Sequence, residues 1–298
     1  MFLPSEQNLN IRTERTSRNV LTVRFDNIVS GWECWLLLRS DAHHDHKRCD
    51  RTLEKRHLDM MVERNGYWAD FGDLLDAMQG RYDPRRNYDE IRPEDVGVAY
   101  YDLVVSHAAE FYAPYAERCL LLTIGNHESA AERHTGHNLT SDLAYHLNTE
   151  ALHDSNHRIH IGGYGGWIRF MFTFHKTKIR TVRLKYFHGA GTNAPVTKGV
   201  IQTARQQAYL RDADIVINGH NHQAYTLPLI TEGLNRKGQV ERGITWHGRI
   251  PGYLDSYQDG FGGWGVEKGH PPNPLGALWL RFSCEGQKII HKLIPEIT

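Results

Sequence analysis

The sequence predicts an α/β fold, and three observations predict it. Short apolar runs of strand length alternate with stretches whose apolar residues recur at intervals of three and four. Several of these runs end in clusters of aspartate, asparagine and histidine, which is where α/β sheets place their sites. The 298 residues are 40% hydrophobic and 23% charged, enough to bury one sizeable core.

Taken in order, residues 1–30 are polar apart from the strand-like 20–25, and read as an N-terminal arm or edge hairpin ahead of one domain over 31–298. Residues 32–40 form an apolar run that suits a buried strand and leads straight into Asp41-Ala42-His43. Residues 50–64 carry Leu53, Leu58, Met61 and Val62 on one side of a helix, which Asn65-Gly66 stops. A strand beginning at Tyr67 then reaches Gly72, whose missing Cβ allows a sharp turn that presents Asp73 and Asp76. Asp70 is out of place in a buried strand and must be paired or half exposed.

Residues 79–95 form a charged insertion loop, followed by a helix over 96–115 and the buried strand 119–124, which ends at Gly125-Asn126-His127-Glu128. Residues 139–148 read as a helix, and 159–174 and 179–187 as strands, with Gly162–Trp167 as a glycine-rich hairpin. The second of these strands stops at His188-Gly189. A helix over 197–211 precedes the strand 214–218 and Gly219-His220-Asn221-His222, and strands over 224–230, 238–247 and 275–283 continue the sheet.

Composition narrows the function classes. Lys plus Arg equals Asp plus Glu at 35 each, so there is no global basic field for duplex nucleic acid, although a local patch is compatible. No apolar stretch is long enough for a membrane span, and residues 1–10 have neither the basic nor the apolar part of a signal peptide. The four cysteines, Cys34, Cys49, Cys119 and Cys284, form no C-x-x-C pair, which argues against a disulfide framework or a thiolate zinc site and for a cytoplasmic setting. The 19 histidines matter through their clustering at strand exits. There they join carboxylates and an amide as nitrogen and oxygen ligands suited to Mn, Fe, Zn, Co or Ni. Seven such groups exceed the needs of one tetrahedral ion, whereas two ions sharing a carboxylate would use them all.

The motifs D-x-H at 41–43, G-D-x-x-D at 72–76, G-N-H-E at 125–128, F-H-G at 187–189 and G-H-N-H at 219–222 occur in one order over about 180 residues. Together they resemble the calcineurin-like metallophosphoesterase family, including its phage and prophage, DNA-repair-exonuclease-like members. The resemblance implies a four-layer sandwich of two mixed sheets flanked by helices. It also implies a dinuclear centre of two divalent ions, Mn preferred and Fe, Zn, Co, Ni or Mg as alternatives. Asp41, His43, Asp73 and His222 would hold one ion, and Asp73, Asn126, His188 and His220 the other, with Asp73 bridging. His127 matches the catalytic histidine, and Asp76 the carboxylate that orients it. The implied activity is hydrolysis of a phosphate ester, with a phosphodiester of a nucleotide or nucleic acid preferred and a phosphomonoester as the alternative; a non-enzymatic scaffold would be expected to lack ligands. Ala77 stands where the Ser/Thr protein phosphatases carry arginine, which weighs against a phosphoprotein substrate.

Further residues are weaker candidates. Arg81, Arg85 and Arg86 have the fork geometry for a phosphate, and Trp246 and His247 could line a substrate cleft. His44, Asp45 and His46 read chiefly as exposed loop. The G-x-G-x-x-G at 260–265 follows no strand and opens no helix, so it does not read as a dinucleotide site. Oligomeric state is not legible.

Overall fold

The computed structural model describes residues 11–78, 86, 88–174, 178–191, 197–262, 264–267, 269 and 271–298. The first part of the chain forms the strands β1 (Ile11–Ser17), β2 (Val20–Phe25), β3 (Glu33–Arg39), β4 (Tyr67–Asp70), β5 (Cys119–Leu122) and β6 (His160–Ile161). The rest contributes β7 (Gly165–Phe174), β8 (Lys178–Phe187), β9 (Ile215–Asn218), β10 (Tyr225–Leu234), β11 (Val240–Arg249), β12 (Gly276–Glu285) and β13 (Lys288–Ile297). The principal helices are α1 (Arg51–Glu63), α2 (Tyr100–Tyr112), α3 (Asn126–Thr135), α4 (Leu139–His146) and α5 (Val200–Tyr209).

The strands form two mixed sheets. Sheet A runs β1-β2-β7-β8-β9-β11-β10 and sheet B runs β13-β12-β3-β4-β5-β6. In sheet B, β3 to β6 are parallel and the β12–β13 hairpin joins antiparallel to β3. In sheet A, β8 and β9 are parallel, as are β9 and β11. The expected edge hairpin exists as β1–β2, but only β1 is an edge, because β2 also pairs parallel with β7.

Alternation decides which layer each side chain enters. Leu36 and Leu38 of β3 face sheet A, where Phe25, Phe170 and Phe172 of that sheet and Phe282 of β12 stack closely. Leu37 faces the other way, with Trp68 and Trp279, against α1, α2 and α4. The apolar run 32–40 is therefore buried on both faces, as its composition suggested.

The glycine-rich 162–167 stretch is not the hairpin expected. Its two flanking strands lie in different sheets, β6 in B and β7 in A, so Gly162 and Gly163 carry the chain across the sandwich. A Cβ at Gly162 would come within 2.4 Å of the Tyr186 hydroxyl, and this close approach requires glycine. The helix expected over 96–115 is shorter, because a 3₁₀ turn at Pro93–Asp95 precedes it and a second one at Ala113–Arg118 follows.

Asp70 is fully buried. It pairs with Arg39 across β3–β4, its Oδ2 3.8 Å from the guanidinium, while its Oδ1 accepts from Gly72 N at 3.1 Å. Arg39 is also held by Glu54 and by Tyr112. Burial, only partly offset by Arg39, raises the Asp70 carboxyl to about 7.

Candidate metal centre

The exits of β3, β4 and β5 leave sheet B at one edge, and those of β8 and β9 leave sheet A beside it. The ladder between β3 and β4 does not stop with the strands. Asp41 N donates to Gly72 O at 2.9 Å, His43 N to Asp73 O at 3.0 Å and His44 N to Leu74 O at 2.8 Å. The two ligand-bearing loops are thus hydrogen-bonded to each other residue by residue. Gly72, at φ +97°, packs so tightly on Gly125 that a Cβ there would lie 2.6 Å from the Gly125 nitrogen.

Asp41, His43, Asp73, His220 and His222 all adopt left-handed φ between 47° and 75°, which costs a non-glycine residue on the order of 1 kcal/mol or more. That so many candidate ligands share this strain is a property of the site. No local sequence signal announces it.

The side chains gather into two groups that share no residue. Asp41, His43 and His222 bring ligand atoms within 4.8 Å of one another, and so do Asp73, His188 and His220. His188 Nδ1–H donates to Phe71 O at 2.9 Å, which leaves a lone pair on Nε2. That nitrogen sits 3.1 Å from Asp73 Oδ2 and 3.2 Å from Asn126 Oδ1, both acceptors. His220 likewise donates through Nε2–H to Gly191 O at 3.0 Å and turns its other nitrogen on Asn126 Oδ1 at 2.7 Å. His43 commits Nδ1 to Asp76 Oδ1 at 2.8 Å, and its Nε2 is buried with no partner.

At Asp73 an imidazole nitrogen therefore faces a carboxylate oxygen, and added positive charge reconciles the two, whereas at Asn126 a turned amide would serve as well. With protons as that charge, burial opposes the imidazolium of His43, but the Asp76 hydrogen bond and the charges of Asp76, Asp73 and Asp41 hold it up at about 9. His188 is raised to about 10, burial again being outweighed by Asp73. His222, where burial wins, falls to about 4. A divalent cation is the alternative source of charge, and this nitrogen-and-oxygen donor set fits one in each group.

His127 stands in the first turn of α3, where its backbone N–H donates to Asp73 Oδ1 at 2.9 Å. Its Nδ1–H donates to the backbone carbonyl of Asp76 at 2.7 Å, with the Asp76 carboxylate 3.3 Å away. The carboxylate of Asp76 lies closer to His43 than to His127, so the expected Asp76–His127 pair is in fact a triad with His43.

Two carboxylates that sequence reasoning passed over brace these loops. Glu128 accepts from the backbone N–H groups of Asp73, Leu75 and Gly125 at 2.8–3.0 Å. Its place at the end of G-N-H-E, three residues after a helix-capping glycine, was the available signal. Asp45 accepts from Asp76 N, from Ala77 N at 2.9 Å and from the Tyr100 hydroxyl at 3.0 Å. The expectation that 44–46 form exposed loop is corrected accordingly, since His44 and Asp45 are buried. His44 bonds Glu54 at 2.8 Å, and burial lowers its pKa.

The weaker candidates separate. Arg81 and Arg85 lie outside the described residues, and Arg86 is exposed. Trp246 is level with Ile215 at the start of β9, three residues before the ligand-bearing exit, and packs on the inter-sheet core. His247 is buried under α5, bonded to Gln207 at 2.8 Å. Neither belongs to the cluster, because alternation and register direct both side chains into packing. Arg249, level with Asn218, does reach the loop and donates to Gly219 O at 2.8 Å. Tyr164, on the crossing between sheets, donates to Gly189 O at 2.8 Å with its ring 5.2 Å from that of His188.

Among the described residues no helix is long and apolar enough to cross a membrane. Comparison with known proteins finds no matching family model and no matching curated protein. Solved structures with similarity include GAP50, the anchor in the inner membrane complex of Plasmodium, at TM-score 0.41 and 10% identity over 88% of this chain and 84% of that one. Another is a conserved uncharacterized protein of Streptococcus pneumoniae described as a predicted phosphoesterase, at TM-score 0.30 and 11% identity over 88% and 90%. At these scores neither likeness bears on the reading that follows.

Proposed function

We propose that this chain is a metal-dependent phosphoesterase of the calcineurin-like kind, using two divalent cations, Mn preferred, on a phosphodiester of a nucleotide or nucleic acid. The observation that carries the reading is the gathering of two groups of nitrogen and oxygen donors, Asp41 with His43 and His222, and Asp73 with His188 and His220, each within 4.8 Å. The four-layer sandwich belongs to the same reading: α1, α2 and α4 cover sheet B and α5 lies on sheet A.

When bound, two such ions supply Lewis acidity toward phosphoryl oxygens and acidify water. Asp41, His43, Asp73 and His222 would hold one, and Asp73, Asn126, His188 and His220 the other. His127 has its Nδ1–H engaged by Asp76 O, so the proton it would give to the departing alkoxide is the Nε2–H of its imidazolium form. Asp76 and His43 fix that ring, and Asp45 fixes Asp76.

The test is metal analysis of the purified protein together with turnover on bis(p-nitrophenyl) phosphate, the corresponding monoester, cyclic nucleotides, and single- and double-stranded DNA. Faster cleavage of diesters supports the proposal, and preference for the monoester moves the substrate class. No turnover on any ester with both positions filled rejects it. His127→Ala is expected to lower turnover about 10²- to 10⁴-fold with metal content unchanged.

A further inference from the structure

β10 and β11 pair over ten residues each, but β9 backs only Trp246–Arg249 of that ladder. The outer part, residues 230–244, is a two-stranded ribbon exposed at every position but Asn235. Asn235 and Gly238 build its turn, so the ribbon is a formed element. A bare two-stranded ribbon is marginal in water, and this one also carries uncovered apolar residues.

Ile230, Leu234, Val240 and Ile244 are 62%, 71%, 64% and 49% exposed. Register puts them on one face, with Ile230 opposite Ile244 and Leu234 opposite Val240. By alternation it is the face of Gly248, whose Cβ direction points at Ile217, Leu278 and Leu293 of the inter-sheet core. The stripe is therefore a core face continued beyond the edge of the core. It sets two apolar cross-strand pairs on one exposed face, with a single charged pair between them.

We infer that this face is covered by the same face of a second copy of the chain. Between the two apolar pairs stands one charged pair, Glu232 opposite Arg242. A two-fold axis along the ribbon sets Glu232 against the partner's Arg242 twice over, and apolar pair against apolar pair. The pattern is thus self-complementary, as an isologous contact requires.

The test is sedimentation equilibrium of the full chain from about 1 to about 100 µM. A dimer is expected for the natural sequence, and Ile230→Glu with Leu234→Glu is expected to weaken it about 100-fold or more. Glu232→Arg and Arg242→Glu should each be monomeric alone, yet an equimolar mixture of the two should form heterodimers. Each single variant has like charges within its own ribbon, so recovery in the mixture reports pairing between chains. A natural chain monomeric throughout the range, a dimer indifferent to these changes, or a ribbon occupied instead by vesicles or DNA while the chain stays monomeric would each overturn the inference.

Discussion

The exits of sheet B and the exit of β9 in sheet A deliver ligands in unlike ways. On the sheet B side, Asp41 to His44 and Gly72 to Leu74 are laddered together, and Asp45 and Glu128 between them accept five backbone N–H groups from those loops. On the β9 side, His220 is tied by its backbone to Asp41, and Arg249 holds Gly219 O, but the rings of His220 and His222 remain partly exposed. The protonation of the two sides also differs. His43 is held charged by carboxylates, whereas burial keeps His220 and His222 neutral and ready to ligate. One side is fixed scaffold bearing charge, and the other is a pair of neutral donors laid over it.

The largest expected effect tests that asymmetry directly. Asp73→Ala removes the carboxylate within reach of His188 and His127, and is expected to abolish turnover and leave no stably bound ion on the chain. His222→Ala removes a donor from one group only, and is expected to leave about one ion per chain with the fold intact. Equal metal loss in both variants, measured by inductively coupled plasma mass spectrometry, would erase the distinction between the sides.

Protonation gives a second, smaller effect. His43 and His188 have folded values of about 9 and about 10, above the unfolded histidine value. Without metal their contribution to stability is complete below the unfolded value near 6.5 and is lost as pH rises through 9 and 10, on the order of 3 kcal/mol each. A cation must displace those protons, so metal binding at pH 7 should release about two protons per chain and tighten as pH rises. Calorimetry in buffers of different ionisation enthalpy measures the release, and a pH-independent affinity would contradict the assignment.

The smallest effect concerns the brace. Asp45→Asn keeps the size of the side chain but loses the charge and one acceptor for the N–H groups of Asp76 and Ala77. It is expected to cost about 1–2 kcal/mol of stability and about 10-fold in turnover with KM little changed. Thermal melts and steady-state kinetics read both, and unchanged turnover would make Asp45 a stability residue only.

Much of this was legible in the sequence because strand exits are local. A buried apolar run, a glycine and then aspartate or histidine names the element and the candidate ligand together, as at Phe71-Gly72-Asp73 and Asn218-Gly219-His220. What was illegible depended on distant partners. Gly162-Gly163 reads as a hairpin until the next strand is seen to pair with β2 in the other sheet. Asp45 reads as exposed until Tyr100 and the 76–77 backbone close over it, and Asp70 is unexplained until Arg39 stands beside it. Aspartate and histidine are enriched in the left-handed region, but they occur in every other conformation too, so the φ values at Asp41, His43, Asp73, His220 and His222 are not legible from residue type.

The passage of the chain between sheets has a consequence for biosynthesis. β2 waits for β7, and Trp35 in β3 finds its antiparallel neighbour only at Arg281 in β12. Pairings of such sequence separation form late and slowly, and a growing chain on the ribosome cannot make them. The ligand loops at 41–43 and 72–76 therefore emerge long before His220, His222 and the strand that closes sheet B. Loading of the proposed centre then follows synthesis of the chain through β12, and a nascent chain stalled before residue 276 should carry no stably held ion.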